Sequence, residues 1–258
     1  MKKQDHKVKK MGTLILNFAV SDLKIKYRNS ILGFLWSFLE PLLLLGVLYM
    51  VFTNVFENSI ENFPLYLLLG LILYNTMQKG TDLGLTSISS KGDLIKQVYF
   101  SRTIPAISAT TTAALMLVFE LIVFGVFMAI FQFVPTTTIL LLPLILLLEL
   151  LLIFGLCLPL SVLNIKFNDI QFIWKVVLQA GFFLTPVFYT LDILPEMLQN
   201  ILKYSPMVQI MIMARDVTLY NTIPSFESIT IAIGTTTLVF IIGFGVFYRL
   251  KSNIVEAL

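Results

Sequence analysis

Long apolar runs separated by short polar stretches dominate the chain. A membrane-spanning helix needs about 20 apolar residues at about 1.5 Å of rise each. On that measure the pattern predicts six spans, at 32–56, 63–83, 104–133, 138–163, 170–191 and 229–249. The second is the weakest, because its charge-free part, 63–78, is only 16 residues long. It needs a snorkelling Lys79 or a thinned bilayer. A lone carboxylate does not veto a span. Residues 139–158 hold sixteen Leu, Ile, Val or Phe besides Glu149, on the order of −7 kcal/mol of insertion free energy. The charge costs roughly 2.5–3.5 kcal/mol on the same scale. The expectation is an all-α integral membrane protein, one transmembrane domain over 1–258.

The segments between spans carry their own patterns. In 14–29, Leu16, Val20, Leu23 and Tyr27 recur at helical spacing, with Asn17, Ser21, Lys24 and Arg28 on the facing side; Phe18 and Ile25 blur the stripe. This predicts a basic amphipathic helix along the inner leaflet within a leader of 1–31, either a plain anchor or a moving element. In 86–103, Ser89, Ser90, Gly92 and Asp93 supply turn and cap chemistry ahead of an apolar stripe at Leu94, Ile95, Val98 and Tyr99. A short helix there suits docking to another protein, and equally a linker packed on its own spans. The segment 192–220 is too long for a simple turn. Leu194, Met197, Leu198, Ile201 and Leu202 predict one short amphipathic helix, and Met207, Ile210, Met211 and Ala214 a second. Both are too short to cross a bilayer, so re-entrant or interfacial helices are expected.

Composition narrows the class. Hydrophobic residues make up 57% and charged residues 13% of the 258, and the mean hydropathy is +0.89. An ordinary cytoplasmic enzyme cannot hide so much apolar surface, and a disordered chain would not contain it. With 18 basic against 15 acidic residues, no broad nucleic-acid-binding face is expected. The one cysteine, Cys157, and the one histidine, His6, leave no disulfide framework, thiolate cluster or histidine constellation. Asn17 interrupts the apolar run after the lysine-rich leader and charges resume at Asp22, so no cleaved signal is expected.

Basic residues set the orientation. Lys2, Lys3, Lys7, Lys9, Lys10, Lys24, Lys26, Arg28, Lys79, Lys91, Lys96, Arg102, Lys166, Lys175, Arg249 and Lys251 fall on one side of a six-span topology, leaving Lys203 and Arg215 on the other. The positive-inside bias then puts both termini in the cytoplasm and the protein in the plasma membrane. The cytoplasmic segments are too small for a catalytic domain, and no G-x-x-x-x-G-K-[ST] phosphate loop is present. The chain is not expected to hydrolyse nucleotides itself.

The segments 22–45 and 185–207 resemble the membrane subunits of type-2 ABC exporters, closest to those exporting lipid-linked polysaccharides such as O-antigen, capsule and wall teichoic acid. The signals are Tyr27-Arg28, Leu32-Gly33, Trp36 and Pro41, then Thr185-Pro186, Tyr189 and Leu194-Pro195; length, span count and element order agree over essentially the whole chain. The resemblance implies a homodimer working with two copies of a separate ATP-binding subunit. No cofactor would then sit in this chain, ATP and Mg being held by the partner. It implies a coupling helix with Asp93, Leu94, Ile95, Lys96, Gln97, Val98 and Tyr99 facing the ATPase, and a gate helix marked by Lys24, Tyr27 and Arg28. It also implies a path along spans one and five. The candidate path residues are Trp36, Tyr49, Trp174, Phe182, Phe183, Phe188 and Tyr189, whose flat rings suit sliding sugars. Glu40 precedes Pro41 where the family more often has a neutral residue, so no role is carried onto Glu40.

Glu40, Glu120 and Glu149 sustain the rival reading of a proton-coupled secondary transporter. No intramembrane Lys, Arg or His partner for them is evident in the sequence, and no inverted repeat is found. An ABC pump for smaller lipids or drugs stays open. An intramembrane transferase lacks any cluster of carboxylate and histidine or hydroxyl groups.

Overall fold

Proline and asparagine punctuation lays out the helices. The computed structural model describes residues 2–56, 60, 62–97 and 100–251. Among them are ten α-helices: α1 Lys2–Lys26, α2 Trp36–Phe56, α3 Phe63–Thr86, α4 Gly92–Gln97, α5 Ile104–Ile130, α6 Leu142–Lys166, α7 Ile170–Leu184, α8 Glu196–Leu202, α9 Pro206–Thr218 and α10 Phe226–Leu250. Proline occupies the first turn of α3, α5, α6 and α9, where its missing N–H costs nothing. Asn29, Asn62 and Asn221 adopt the left-handed conformation at turns between helices, which asparagine tolerates better than most residues.

The core is organised around α3. Leu65, Leu67–Leu69 and Leu71–Leu73 are fully buried, and α3 packs against α2, α5, α6, α7 and α9. Close approach is bought with glycine: a Cβ at Gly84 would collide with the Cys157 side chain of α6. The outer helices are apolar outward instead. Val118, Ile122 and Val126 on α5, Leu144 and Leu147 on α6, and Leu238, Ile241 and Ile242 on α10 are all exposed. Water would not tolerate such a surface; hydrocarbon would. Three helical stretches, Ile104–Ile130, Thr137–Lys166 and Phe226–Leu250, are long and apolar enough to cross a membrane, and Trp36–Phe52 and Ile170–Leu184 are shorter apolar helices. The chain is an all-helical, multi-pass membrane protein.

Several boundaries differ from the expected ones. The α3 helix runs 24 residues, well past residue 78, but its last third is polar, and this removes it from the purely apolar class. The α7 helix stops at Leu184 with 15 residues, about 22 Å long, because Pro186 cannot continue the ladder. The expected helix of 86–103 reduces to a 3-10 turn at Ser89–Lys91 and the six-residue α4. The α1 helix ends at Lys26, so Tyr27 and Arg28 lie in the following turn. Ala19 is buried against α5, whereas Leu16 and Val20 of the predicted stripe stay exposed.

Candidate functional site

Three polar constructions stand out in an otherwise apolar bundle. The first links the gate segment to the short helix α4. Lys91, in the 3-10 turn before α4, donates to both carboxylate oxygens of Asp22 on α1, at 3.0 and 2.9 Å. Its ammonium also sits 5.5 Å from the Phe18 ring. Phe18 in turn meets Phe100 edge-on at 5.8 Å. The end of α1 is joined to the start of α2 by the Tyr27 hydroxyl, 2.6 Å from Ser37 Oγ. Arg102 reaches the Lys251 carbonyl, so α4, the start of α5, α1 and the end of α10 share one end of the bundle. There α4 presents Asp93, Leu94, Lys96 and Gln97 outward, with Ile95 half-buried. Val98 and Tyr99 lie outside the described residues. Lys24 and Arg28 are exposed.

The second construction lies deeper. Lys79 of α3 is not a loop residue and does not snorkel outward. Its ammonium is 2.8 Å from Glu40 Oε2 on α2 and 3.0 Å from Glu120 Oε1 on α5. This corrects the sequence reading that these carboxylates have no cationic partner. Helix α3 runs on past the apolar stretch and carries Lys79 back between its neighbours, a tertiary juxtaposition that no linear spacing shows. The Glu40 side chain is 53% exposed and that of Glu120 only 1%. Glu120 Oε2 has no hydrogen-bond partner. Glu149 on α6 is fully buried with both oxygens unpartnered. An isolated carboxylate in that setting sheds its charge by holding a proton. Lys26, at the end of α1, donates a weak bond to Met116 Sδ of α5 at 3.6 Å, and its ammonium lies 5.7 Å from the centre of the Tyr27 ring. Burial, and then the charge of Lys79, push the Lys26 ammonium below its ordinary value. A polar cavity of about 750 Å³ separates α1, the end of α3 and α4, with Lys26, Lys79, Lys91 and Asp82 in its wall.

The third is at the opposite end, and sequence reasoning placed its central residue in an outer segment only. Arg215 of α9 is 2% exposed. Its Nη1 donates to the Pro186 carbonyl at 2.6 Å, and its Nη2 to the carbonyls of Val187 at 2.8 Å and Tyr66 at 3.3 Å. The guanidinium stacks 3.4 Å from the centre of the Tyr66 ring. The Tyr66 hydroxyl donates to the Tyr189 carbonyl at 2.7 Å. The Tyr189 hydroxyl caps the carbonyls of Phe183 and Leu184, each at 2.9 Å. The broken end of α7 would otherwise leave orphan carbonyls in a dry setting. Gly70 makes room, since a Cβ there would lie 2.6 Å from Arg215 Nη2. The only signal available in sequence was the i, i+4 pair Tyr66 and Gly70 within an otherwise leucine-rich run.

The candidate aromatic residues gather on α2, on α7 and on the segment that follows α7. Phe188 stacks on Phe52 of α2 at 4.8 Å and meets Tyr189 at 5.2 Å. Phe182 lies 5.5 Å from Phe183 and 5.4 Å from Tyr74, and Tyr49 stacks on Phe63 at 6.3 Å. Trp174 donates its indole N–H to Thr81 Oγ1 at 3.1 Å. Trp36 and Phe183 are exposed, at 41% and 61%, whereas Tyr189 is buried. The predicted stripe of α8 is not covered: Met197 and Ile201 are exposed, while Met207, Ile210, Met211 and Ala214 of α9 are buried.

The described residues form a multi-pass helical bundle in which the apolar helix α7 is cut short at Pro186 and a short exposed helix, α4, lies at one end. Residues 14–219 match the family described as ABC-2 type transporter, and the chain belongs to that family. It is the transmembrane permease, not the ATPase, and membership implies an ATP-binding partner subunit. Among similar proteins are two from Klebsiella pneumoniae named O-antigen export system permease protein RfbA, each 27% identical over 95% of both chains. Another protein of that name, from Myxococcus xanthus, is 32% identical over 77% of both chains.

Proposed function

We propose that this chain is the membrane subunit of an ATP-driven exporter that moves a lipid-linked polysaccharide of the teichoic acid, O-antigen or capsule type across the plasma membrane. The observation that carries this reading is its likeness, over 95% of its length, to permeases named for O-antigen export. Two copies would assemble with two ATP-binding subunits, which hold ATP and Mg. Self-association suits α7, where Phe172, Ile173, Val176 and Val177 are exposed and only Leu178 is buried. Both termini face the cytoplasm in this reading, with the lysine-rich end of the bundle on that side, and the six spans include α3. Glu196–Leu202 and Pro206–Thr218 serve as the outer, re-entrant pair.

ATP binding would close the partner subunits on Asp93–Gln97, with Val98 and Tyr99 completing the handle. The push passes to the gate segment around Lys24, Tyr27 and Arg28. A path then opens between the two copies along Trp36, Tyr49, Trp174, Phe182, Phe183, Phe188 and Tyr189. Reversing both charges, Asp93→Lys with Lys96→Glu, is expected to abolish export at least tenfold without loss of the folded chain. The assay follows surface polymer against polymer retained on its lipid carrier inside the cell. Unchanged export by the double variant would refute the handle, and normal surface polymer in a strain lacking the chain would refute the substrate class. The latter result would favour a pump for smaller lipids.

A further inference from the structure

The gate segment and the deep ion cluster meet on one face of α5, and their hydrogen bonding is incomplete in a complementary way. Lys26 is a strong donor whose hydrogen bond goes to a thioether sulfur, 3.6 Å away on Met116, a weak acceptor, while its ammonium also lies 5.7 Å from the Tyr27 ring. Glu120 Oε2 is a buried acceptor without a partner. Met116 and Glu120 are four residues apart on α5, so they lie one turn, about 5.4 Å, along the same helix face. Lys26 already lies within electrostatic reach of Glu40 and Glu120.

We propose that α1 ratchets by one turn along α5, carrying Lys26 from Met116 to Glu120, and that this exchange unlocks the bundle. In the arrangement seen, Lys79 clamps α2 to α5 by bridging Glu40 and Glu120. Once Lys26 takes Glu120, Lys79 is held by Glu40 alone, and the ionic tie between α5 and the α2–α3 pair is cut. Lys26 and Lys79 line the polar cavity and the Glu40 side chain is 53% exposed, so the step exchanges partners at a wet face while the buried Glu120 stays paired with a lysine before and after it. The drive comes through the Lys91–Asp22 pair, which joins α1 to the turn leading into α4, and the Tyr27–Ser37 bond passes the movement to the start of α2. One-turn shifts of this kind are an established way for packed helices to switch between discrete states.

This inference rests on the exporter reading, so it is tested in the native two-subunit complex, with export by the wild-type chain and copurification of the ATPase subunit measured alongside. Lys26→Met is expected to lower export at least tenfold while the complex still assembles, and Lys26→Arg to export normally. Removing the acceptor should relieve the defect: Lys26→Met with Glu120→Gln should export within about threefold of Glu120→Gln alone, because such coupled sites are non-additive. Wild-type export by Lys26→Met would overturn the exchange. So would a double variant as defective as Lys26→Met. Lys26→Gln guards against a folding artefact, and failure of both single variants to assemble would count against the proposal too, since Lys26 makes no strong bond in the arrangement seen. Failure of the wild-type chain to export polymer would strike the exporter reading instead.

Discussion

The two ends of the bundle bury a cation in opposite ways. Lys79 is held by two carboxylates contributed by two neighbouring helices. Arg215 is held by three backbone carbonyls and an aromatic face, with no carboxylate bonded to it among the described residues. Carboxylates can take up a proton when their cation leaves; carbonyls can only go unsatisfied. Carbonyls also belong to the backbone and fix it in place, whereas carboxylates sit on side chains that can change partners. The Arg215 end is therefore built to stay put, and the Lys79 end to rearrange.

The largest effect that would break this comparison is at Arg215. Arg215→Met leaves three carbonyls without their donor, and is expected to cost about 3–5 kcal/mol. In mild detergent this should appear as a fall in unfolding temperature of about 10 °C or more. Arg215→Lys should recover only part, because an ammonium cannot fork across three acceptors. At the other end, Lys79→Met should cost less, about 1–3 kcal/mol, since Glu120 can neutralise itself. Adding Glu120→Gln should bring the unfolding temperature back towards wild type, a non-additivity with no counterpart at Arg215. The smallest effect belongs to the exposed pair of Lys203 and Glu227, 2.6 Å apart. The Glu227→Gln variant should leave the unfolding temperature nearly unchanged, with a smaller shift still in high salt. Equal losses at Arg215 and Lys79 would erase the distinction between the two ends.

How much of this was legible in the sequence follows from the range of the forces involved. Runs such as 139–158 announce a span by composition alone, because hydrocarbon solvation acts on each residue separately. The cut of the fifth span at Pro186 was not legible, because a proline among apolar residues does not end a charge-free run, and the span was expected to continue to 191. Lys79 was misjudged because counting charge-free residues ends a span at the first cation, whatever that cation meets. Its partners Glu40 and Glu120 are 39 and 41 residues away, and only packing of α2 and α5 on α3 unites them. Arg215 sits in a run that reads as an ordinary amphipathic helix. Its purpose depends on the carbonyls freed by Pro186, 29 residues earlier.

In the proposed mechanism a separate ATPase drives the chain through α4. The most direct measurement is to purify the tagged chain from its host in mild detergent, identify what remains bound by mass spectrometry, and assay ATP hydrolysis. The account predicts a stoichiometric subunit carrying the G-x-x-x-x-G-K-[ST] phosphate loop, with ATPase activity, lost from the Asp93→Lys, Lys96→Glu variant. A folded chain that exports polymer with no such subunit bound would contradict it.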